Sequence, residues 1–506
     1  LEDKGSKSAP RSGKHPGEWL PLVLILAAAA YLRLNHLGTP SLWHDEAATT
    51  WFASLSLNEL FSSLRFEQNP PLFYLLAKLW LPWGRSEWWL RLLPLLFGLA
   101  SVATGYLAAR QIWSSRTAGL TAALIIALST EQVLFSQTFR GYSLLHLLTL
   151  GTVFFGWRWG REGRGGDLAA ATGLAALGFY THYIFFFYLP ALGLMVLGLV
   201  WPEEGTRLRR LKALILAGAV FVLLISPGLY LFSLNAGQVK EAFWIPRLTW
   251  GLLGQYLAGM VMSHNLGLVF HLAALILALG WWERRTRLLL ILVYLPLLLI
   301  ALVSWTVKPI MIPRVLVPAS AGLAVLGARL GQLALEGAAR RWGRMAGPGP
   351  RAWLIAAACL VGAAGFLLLH GPFEKENWRL ATSTVVRGYR EGDLVAFCPG
   401  NVEWSFNWYQ AQYTGRELRK TAFPRRLRPG RGLVRDPGRG EKDLERFLAD
   451  LGGAKRLWLV LRQGYWFERL NAAGVEKSLA ARGKLELRVE LGDIGIRLYA
   501  LGPERR

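Results

Sequence analysis

Two neighbouring acids, Asp45 and Glu46, follow Leu42-Trp43-His44 shortly after the first apolar run of the chain. A pair of carboxylates beside hydrocarbon is costly unless water or a cation meets it. Four further polar clusters fall at the ends of other apolar runs: Gln68-Asn69, Gln137 to Tyr142 (Gln-Thr-Phe-Arg-Gly-Tyr), Tyr180-Thr181-His182-Tyr183, and Lys308 to Arg314. Together they supply a carboxylate, several amides and a few cations. Such a set suits an amphipathic anion with a lipid tail, and the natural chemistry is attack on a sugar whose leaving group is a lipid phosphate. A carboxylate would take the proton of the attacking hydroxyl. Arg140, Lys308 and Arg314 would meet the departing phosphate, arginine especially, because its fork pairs two phosphate oxygens. Asn69, Tyr142, His182 and Tyr183 complete the candidate binding set.

Each residue also has a plainer role. Asp45 could cap a helix beginning at Glu46. Arg140 and Arg314 could be snorkelling anchors, and His182 a hydrogen-bonded packing residue. Tyr142, Tyr180 and Tyr183 could belong to an aromatic belt. His44, Glu46, Glu67 and His182 could ligate a divalent metal, but without diagnostic spacing.

The elements that must position these groups are membrane helices. The chain has 506 residues, 53% of them hydrophobic, and a net charge of +24. Its apolar residues gather in runs of spanning length up to about Leu369. Eleven spans are read near 19–34, 89–109, 117–133, 143–159, 168–181, 183–200, 213–233, 264–282, 288–305, 315–330 and 352–369. The first has no small-residue cleavage site after it and reads as an uncleaved helix. Basic residues divide unevenly between alternate connections. One side holds the polar N-terminal arm (1–18), then Arg110 and Arg116, Arg158 to Arg164, Arg207 to Lys212, Arg284 to Arg287, and Arg329 to Arg351. The other side is sparser: Arg65, Lys78, Arg85, Arg140, Lys240, Arg247, Lys308 and Arg314. The positive-inside rule makes the richer side cytoplasmic. Placed in this way, the charge speaks for membrane orientation and against nucleic acid. The acidic loop and everything after His370 then share the extracytoplasmic face.

The first external loop, 35–87, has helical apolar spacing over Asp45 to Leu64 and again over Pro71 to Trp83, which predicts interfacial helices. Residues 19–370 form the transmembrane catalytic domain. Residues 371–506 read as a soluble α/β domain: strands at 393–398 and 456–461, helices at 441–451 and 467–482, and one or two strands in 485–501. No phosphate-cradling glycine motif occurs there. Cys359 lies in an apolar run and Cys398 in the soluble part, which argues against a mutual disulfide.

The motifs resemble the glycosyltransferase C superfamily, and within it glycosyltransferase family 39, which includes protein O-mannosyltransferases and the aminoarabinose transferases acting on lipid A. The resemblance rests on Leu-Trp-His-Asp-Glu46, Asn-Pro-Pro-Leu-Phe-Tyr74, Ser86-Glu-Trp-Trp-Leu-Arg91, Ser136 to Tyr142, Tyr180 to Tyr183, Pro313-Arg314 and Glu376-Asn-Trp-Arg379. It implies that Asp45 is the catalytic residue, that Glu46 is the second acid of the pair, and that the donor is a polyprenyl-phosphate sugar. It also implies inversion at the anomeric centre on the extracytoplasmic face. The acceptor, whether lipid, protein or polysaccharide, stays open. One departure stands out. The aminoarabinose transferases carry Glu-Lys before the proline, where this chain has Gln68-Asn69. That loses a phosphate partner and a candidate metal ligand, and argues against lipid A. The rival reading is a transporter or flippase of lipid-linked sugars. Transporters place polar groups near the midplane and show repeats, whereas here the polar groups gather at one face. A third reading, a non-catalytic scaffold, leaves the Asp-Glu pair unexplained.

Overall fold

The computed structural model describes residues 19–236, 245–260, 271–272, 276, 283–342, 348–373, 375–423, 440–463 and 472–502. The membrane part opens with α1 (Leu20–Leu34). The loop helices α2 (His44–Ser54), α3 (Leu57–Ser63) and α4 (Leu72–Trp80) come next. They are followed by α5 (Glu87–Trp113), α6 (Arg116–Leu128), α7 (Thr130–Ser136), α8 (Tyr142–Glu162), α9 (Gly165–Thr181), α10 (Leu189–Val200), α11 (Arg207–Ala236) and α12 (Trp250–Gly259). The last three are α13 (Arg284–Thr306), α14 (Val317–Trp342) and α15 (Pro348–Leu369).

Six helices among the described residues are long and apolar enough to cross a membrane, or seven if the bent pair α6–α7 counts as one span. These seven correspond to the sequence-read spans 89–109, 117–133, 183–200, 213–233, 288–305, 315–330 and 352–369. The stretches 19–34, 143–159 and 168–181 are also helical, in helices of 15, 21 and 17 residues outside that set. Span 264–282 lies mostly outside the described residues. On α11 and α15 most of the apolar surface faces outward: Ile215, Leu223 and Leu368 are 72, 73 and 87% exposed. Water would penalise such a surface and hydrocarbon does not, so the protein is a multi-pass helical membrane protein.

The 63° bend between α6 and α7 has a local cause. Ser129 is extended, and its hydroxyl accepts from Gln132 N to start α7. The interruption orphans carbonyls at the end of α6. The Arg33 guanidinium of α1 fills that gap, donating to Ile126 O at 3.0 Å and Ala127 O at 3.1 Å. In return, Gln137 Nε2 donates to carbonyls at the end of α1, at Leu32 and Arg33, and to that of Asn35 just beyond it. The start of the acidic loop is thereby pinned to the segment carrying Arg140.

The C-terminal part comprises α16 (Trp378–Gly388), β1 (Leu394–Cys398), α17 (Glu403–Tyr413), β2 (Lys420–Ala422), α18 (Gly440–Asp450), β3 (Arg456–Arg462), α19 (Ala472–Ala480), β4 (Gly483–Leu491) and β5 (Ile494–Leu501). The sheet order is β2-β1-β3-β5-β4, with β1 parallel to β2 and β3, and β5 antiparallel to β3 and β4. Alternate side chains point to opposite faces. On one face Leu394, Ala396, Leu457 and Leu459 pack under Phe447 and Val475 of α18 and α19. On the other, Val395, Phe397, Trp458 and Val460 join Trp378, Phe406 and Tyr409 of α16 and α17, continuous with Leu42, Phe73 and Phe139 of the membrane part. Helices α16 and α17 and strand β2 are additions to the sequence reading. Both cysteines are free and buried.

Candidate active site

Helix α2 begins at His44, two residues earlier than a cap at Asp45 requires. Asp45 therefore lies inside the first turn and does not cap it. Its side chain is a quarter exposed, and Arg314 Nη1 approaches Oδ2 at 3.0 Å. The same guanidinium nitrogen donates to Tyr142 OH at 3.3 Å. Arg140 donates to Thr49 Oγ1 at 3.1 Å and Tyr74 OH at 3.3 Å, and grazes the Asp45 carbonyl at 3.4 Å. Burial pushes the Asp45 carboxyl up, but Arg140, Arg314, His44 and Arg462 outweigh it and hold it down at about 2.

The side chain of Glu46 is fully buried and fully engaged. Arg91 grips it with two bonds, Nε to Oε1 at 2.9 Å and Nη2 to Oε2 at 2.7 Å. Lys375 Nζ stands 3.3 Å from Oε1, Phe139 N donates to Oε1 at 2.7 Å, and Trp43 N donates to Oε2 at 3.3 Å. The remaining Arg91 donors hold the carbonyls of Leu37, Pro40 and Ser41. Burial pushes the Glu46 carboxyl up; Arg91 and Lys375 overcome this and keep it at about 2. Arg91 and Glu46 thus tie the loop before α2 to α5 and to the Phe139 turn.

A narrow open crevice runs beside this knot, lined by Asn69, Pro70, Phe73, Tyr74, Arg140, Gly141, Tyr142, Thr181 and His182. At Gly141 a Cβ would come within 3.0 Å of Thr181 Cγ2 and 3.3 Å of Phe73 Cβ, so a larger residue there would crowd the crevice. Asn69 Nδ2 donates to Glu67 Oε1 at 2.6 Å. Burial, Arg314 and Arg140 push the His182 imidazole down to about 3, so it is neutral at pH 7. Its Nδ1 accepts from Ile184 N, which leaves the proton on Nε2.

The structure thus brings Asp45, Arg140, Tyr142 and Arg314 into one bonded group, with Asn69 and His182 lining the adjoining crevice. Tyr183 packs instead on Phe179 and Phe232. Lys308, in the connection after α13, is half-buried, and its backbone N donates to Val303 O. Neither residue lines this crevice. Among the described residues no three His, Cys, Asp or Glu side chains gather as a metal site. The four candidate ligands go elsewhere: His44 to Asn401, Glu46 to Arg91, Glu67 to Asn69 and His182 to Ile184 N. The sequence reading passed over Lys375 and Arg462, and it quoted Arg91 and Glu376 only as parts of motifs. A cation in the first turns of an apolar span was the available signal for Arg91; Arg462 carried none.

Acid sensitivity follows from these carboxylates. The ordinary value for Asp45 is 3.8 and for Glu46 is 4.5, both above the folded values of about 2. Between those limits the unfolded chain binds protons that the folded protein does not. Their stabilisation is complete above about pH 5 and disappears as pH falls through about 2. Melting temperature is expected to fall with pH over that window, and Asp45→Asn to make the fall shallower. An unchanged slope in the variant would contradict the assigned ion pairing.

The fold is shared with solved membrane enzymes. ArnT from Cupriavidus metallidurans in the apo state matches with a TM-score of 0.63 at 14% identity, over 96% of this chain and 99% of that one. The same enzyme bound to undecaprenyl phosphate matches with a TM-score of 0.61 at 13% identity, over 97% and 100%. The Archaeoglobus fulgidus oligosaccharyltransferase, in complex with Zn and sulfate, matches with a TM-score of 0.51 at 12% identity, over 94% and 73%. No curated protein sequence matches significantly. The chain therefore has the glycosyltransferase C fold, the superfamily to which these neighbours belong. Within that class, residues 68–231 match the family described as dolichyl-phosphate-mannose-protein mannosyltransferase, a member of the same superfamily.

Proposed function

We propose that the protein is a membrane glycosyltransferase that moves a sugar from a polyprenyl-phosphate donor to an acceptor hydroxyl, with Asp45 as general base. The observation that carries this reading is the pairing of Asp45 with Arg314 at 3.0 Å, beside a crevice lined by Arg140 and His182. A base, two guanidiniums and a hydrogen-bonding wall have the chemistry that a lipid-borne phosphate and its sugar call for. The fold shared with ArnT, one structure of which holds undecaprenyl phosphate, supports the donor class.

In this reading the acceptor oxygen attacks the anomeric carbon while Asp45 takes its proton, and the bond to the lipid phosphate breaks with inversion. Arg314 and Arg140 meet the negative charge on the leaving phosphate. In the resting protein Arg314 lies on Asp45, which holds the carboxyl acidic. Donor phosphate competes for that guanidinium, and the carboxylate then becomes a stronger base when the substrate is in place. We place the reaction on the extracytoplasmic face, with an eleven-span topology, a cytoplasmic N-terminus, and residues 371–506 outside as the basic-residue distribution implies. Glu46 and Arg91 are assigned to positioning.

The direct test is transfer by the purified protein from a panel of polyprenyl-phosphate hexoses and pentoses, alongside reconstituted vesicles assayed for lipid-linked sugar translocation. Translocation without transfer would replace this reading by the flippase. Arg314→Ala is expected to weaken donor binding roughly tenfold or more, in the range of a lost charge-assisted phosphate bond, whereas Arg65→Ala leaves it near wild type. Equal affinities, measured by titration with polyprenyl phosphate, would reduce Arg314 to an anchor.

A further inference from the structure

The first turn of α2 has an unusual deficiency. Its N-cap is Trp43, whose side chain has no acceptor and makes no capping bond. Helix N-termini expose N–H groups that need partners. Here the partner comes from far along the chain: Glu376 Oε2 accepts from His44 N at 3.0 Å. Glu376 is itself fixed on every side. Arg462 of β3 pairs with Oε1 at 2.5 Å, Trp378 Nε1 donates to Oε2 at 2.6 Å, and Ser41 Oγ donates to the Glu376 carbonyl at 2.5 Å. Its side chain is only 8% exposed. The same surface presses on α2 elsewhere. Asn401 Nδ2 lies 3.0 Å from His44 Nε2, and Trp404 stacks on His44 and on Trp51.

We propose that Glu376, clamped by Arg462, is a positioning residue that caps the helix carrying Asp45, so that docking of the C-terminal domain sets the aim of the carboxylate. This inference rests on the assignment of Asp45 as the base. A displacement of about 1 Å at a reacting group costs on the order of 100-fold in rate. Asp45 is the residue immediately after the capped amide, and none of the crevice residues belongs to the C-terminal domain. Loss of the cap therefore bears on turnover and not on donor affinity.

The test uses the full-length protein in detergent or nanodiscs, with Glu376→Ala, Glu376→Gln and Arg462→Leu. The alanine variant is expected to show faster hydrogen–deuterium exchange in the peptide covering residues 42–50 and a kcat lower by about 10- to 100-fold, with the donor KM within twofold of wild type. Glutamine keeps an acceptor oxygen for His44 N and is expected to restore most of both. Arg462→Leu leaves the cap unclamped and gives a smaller loss in the same direction. Native exchange and native kcat in Glu376→Ala would overturn the proposal, as would a rise in KM matching the fall in kcat. If the alanine variant does not fold, wild-type exchange and kcat in Arg462→Leu would overturn it instead. Full activity in Asp45→Asn sinks the base assignment alone, because the exchange measurement on α2 does not depend on it.

Discussion

Asp45→Asn is expected to leave a folded protein that still binds polyprenyl phosphate and to lower sugar transfer by about 10²- to 10⁴-fold, the usual contribution of a positioned general base. The amide is nearly isosteric, and its oxygen can still accept from Arg314, whose nitrogen stands 3.0 Å from the carboxylate now. What the variant lacks is the capacity to take a proton. Donor affinity is expected to rise slightly if anything, because Arg314 no longer has a competing anion. Initial rates at saturating donor, with donor affinity measured separately, resolve the two effects. Retention of more than a tenth of wild-type turnover would remove Asp45 from the chemistry and favour a purely electrostatic role.

The second large effect is on folding. Arg91→Met removes both charged bonds to Glu46 and three bonds to backbone carbonyls of the loop before α2. Glu46 stays fully buried, with Lys375 as its remaining charged partner among the described residues. Breaking one side of a buried pair costs about 3–5 kcal/mol, because the surviving charge is left without compensation. Lys375 reaches Glu46 at one oxygen only, at 3.3 Å, so a single ammonium contact replaces just part of the two-pronged Arg91 grip. A fall of several degrees in melting temperature is expected, with loss of detergent-stable protein. Adding Glu46→Gln to Arg91→Met should destabilise less than the sum of the single changes, since the two act through one interaction. Additive losses would show that Arg91 works through its carbonyl contacts alone.

These two neighbours show what a pair of adjacent acids hides. In composition and spacing Asp45 and Glu46 look equivalent, and only the family resemblance singles out Asp45. On a helix, successive residues point about 100° apart. One carboxylate therefore reaches the crevice cations while the other turns into the protein against Arg91. Which of the two turns outward depends on how the helix begins, and its first amide is bonded by Glu376, more than three hundred residues away.

The sequence by itself determined the class of molecule. Long apolar runs, basic residues on alternate connections and a mixed, polar C-terminal third are local properties, and hydrocarbon imposes them segment by segment. It also brought forward Asp45, Arg140, Tyr142 and Arg314, because charged and polar groups at the ends of spans are expensive without a purpose. Tertiary structure alone decided which of these meet. The bend at Ser129, closed by Arg33, carries Arg140 toward α2. Tyr183, by contrast, turns to Phe179 and Phe232, although it follows His182 directly. The clamps on the acidic loop, Arg91, Lys375, Glu376 and Arg462, act across 45 to more than 300 residues of sequence. Such contacts leave no periodicity in the sequence: a cation at a strand end or just past a span reads the same whether it faces water or holds a buried carboxylate. Only the fold, by burying both partners together, distinguishes the two.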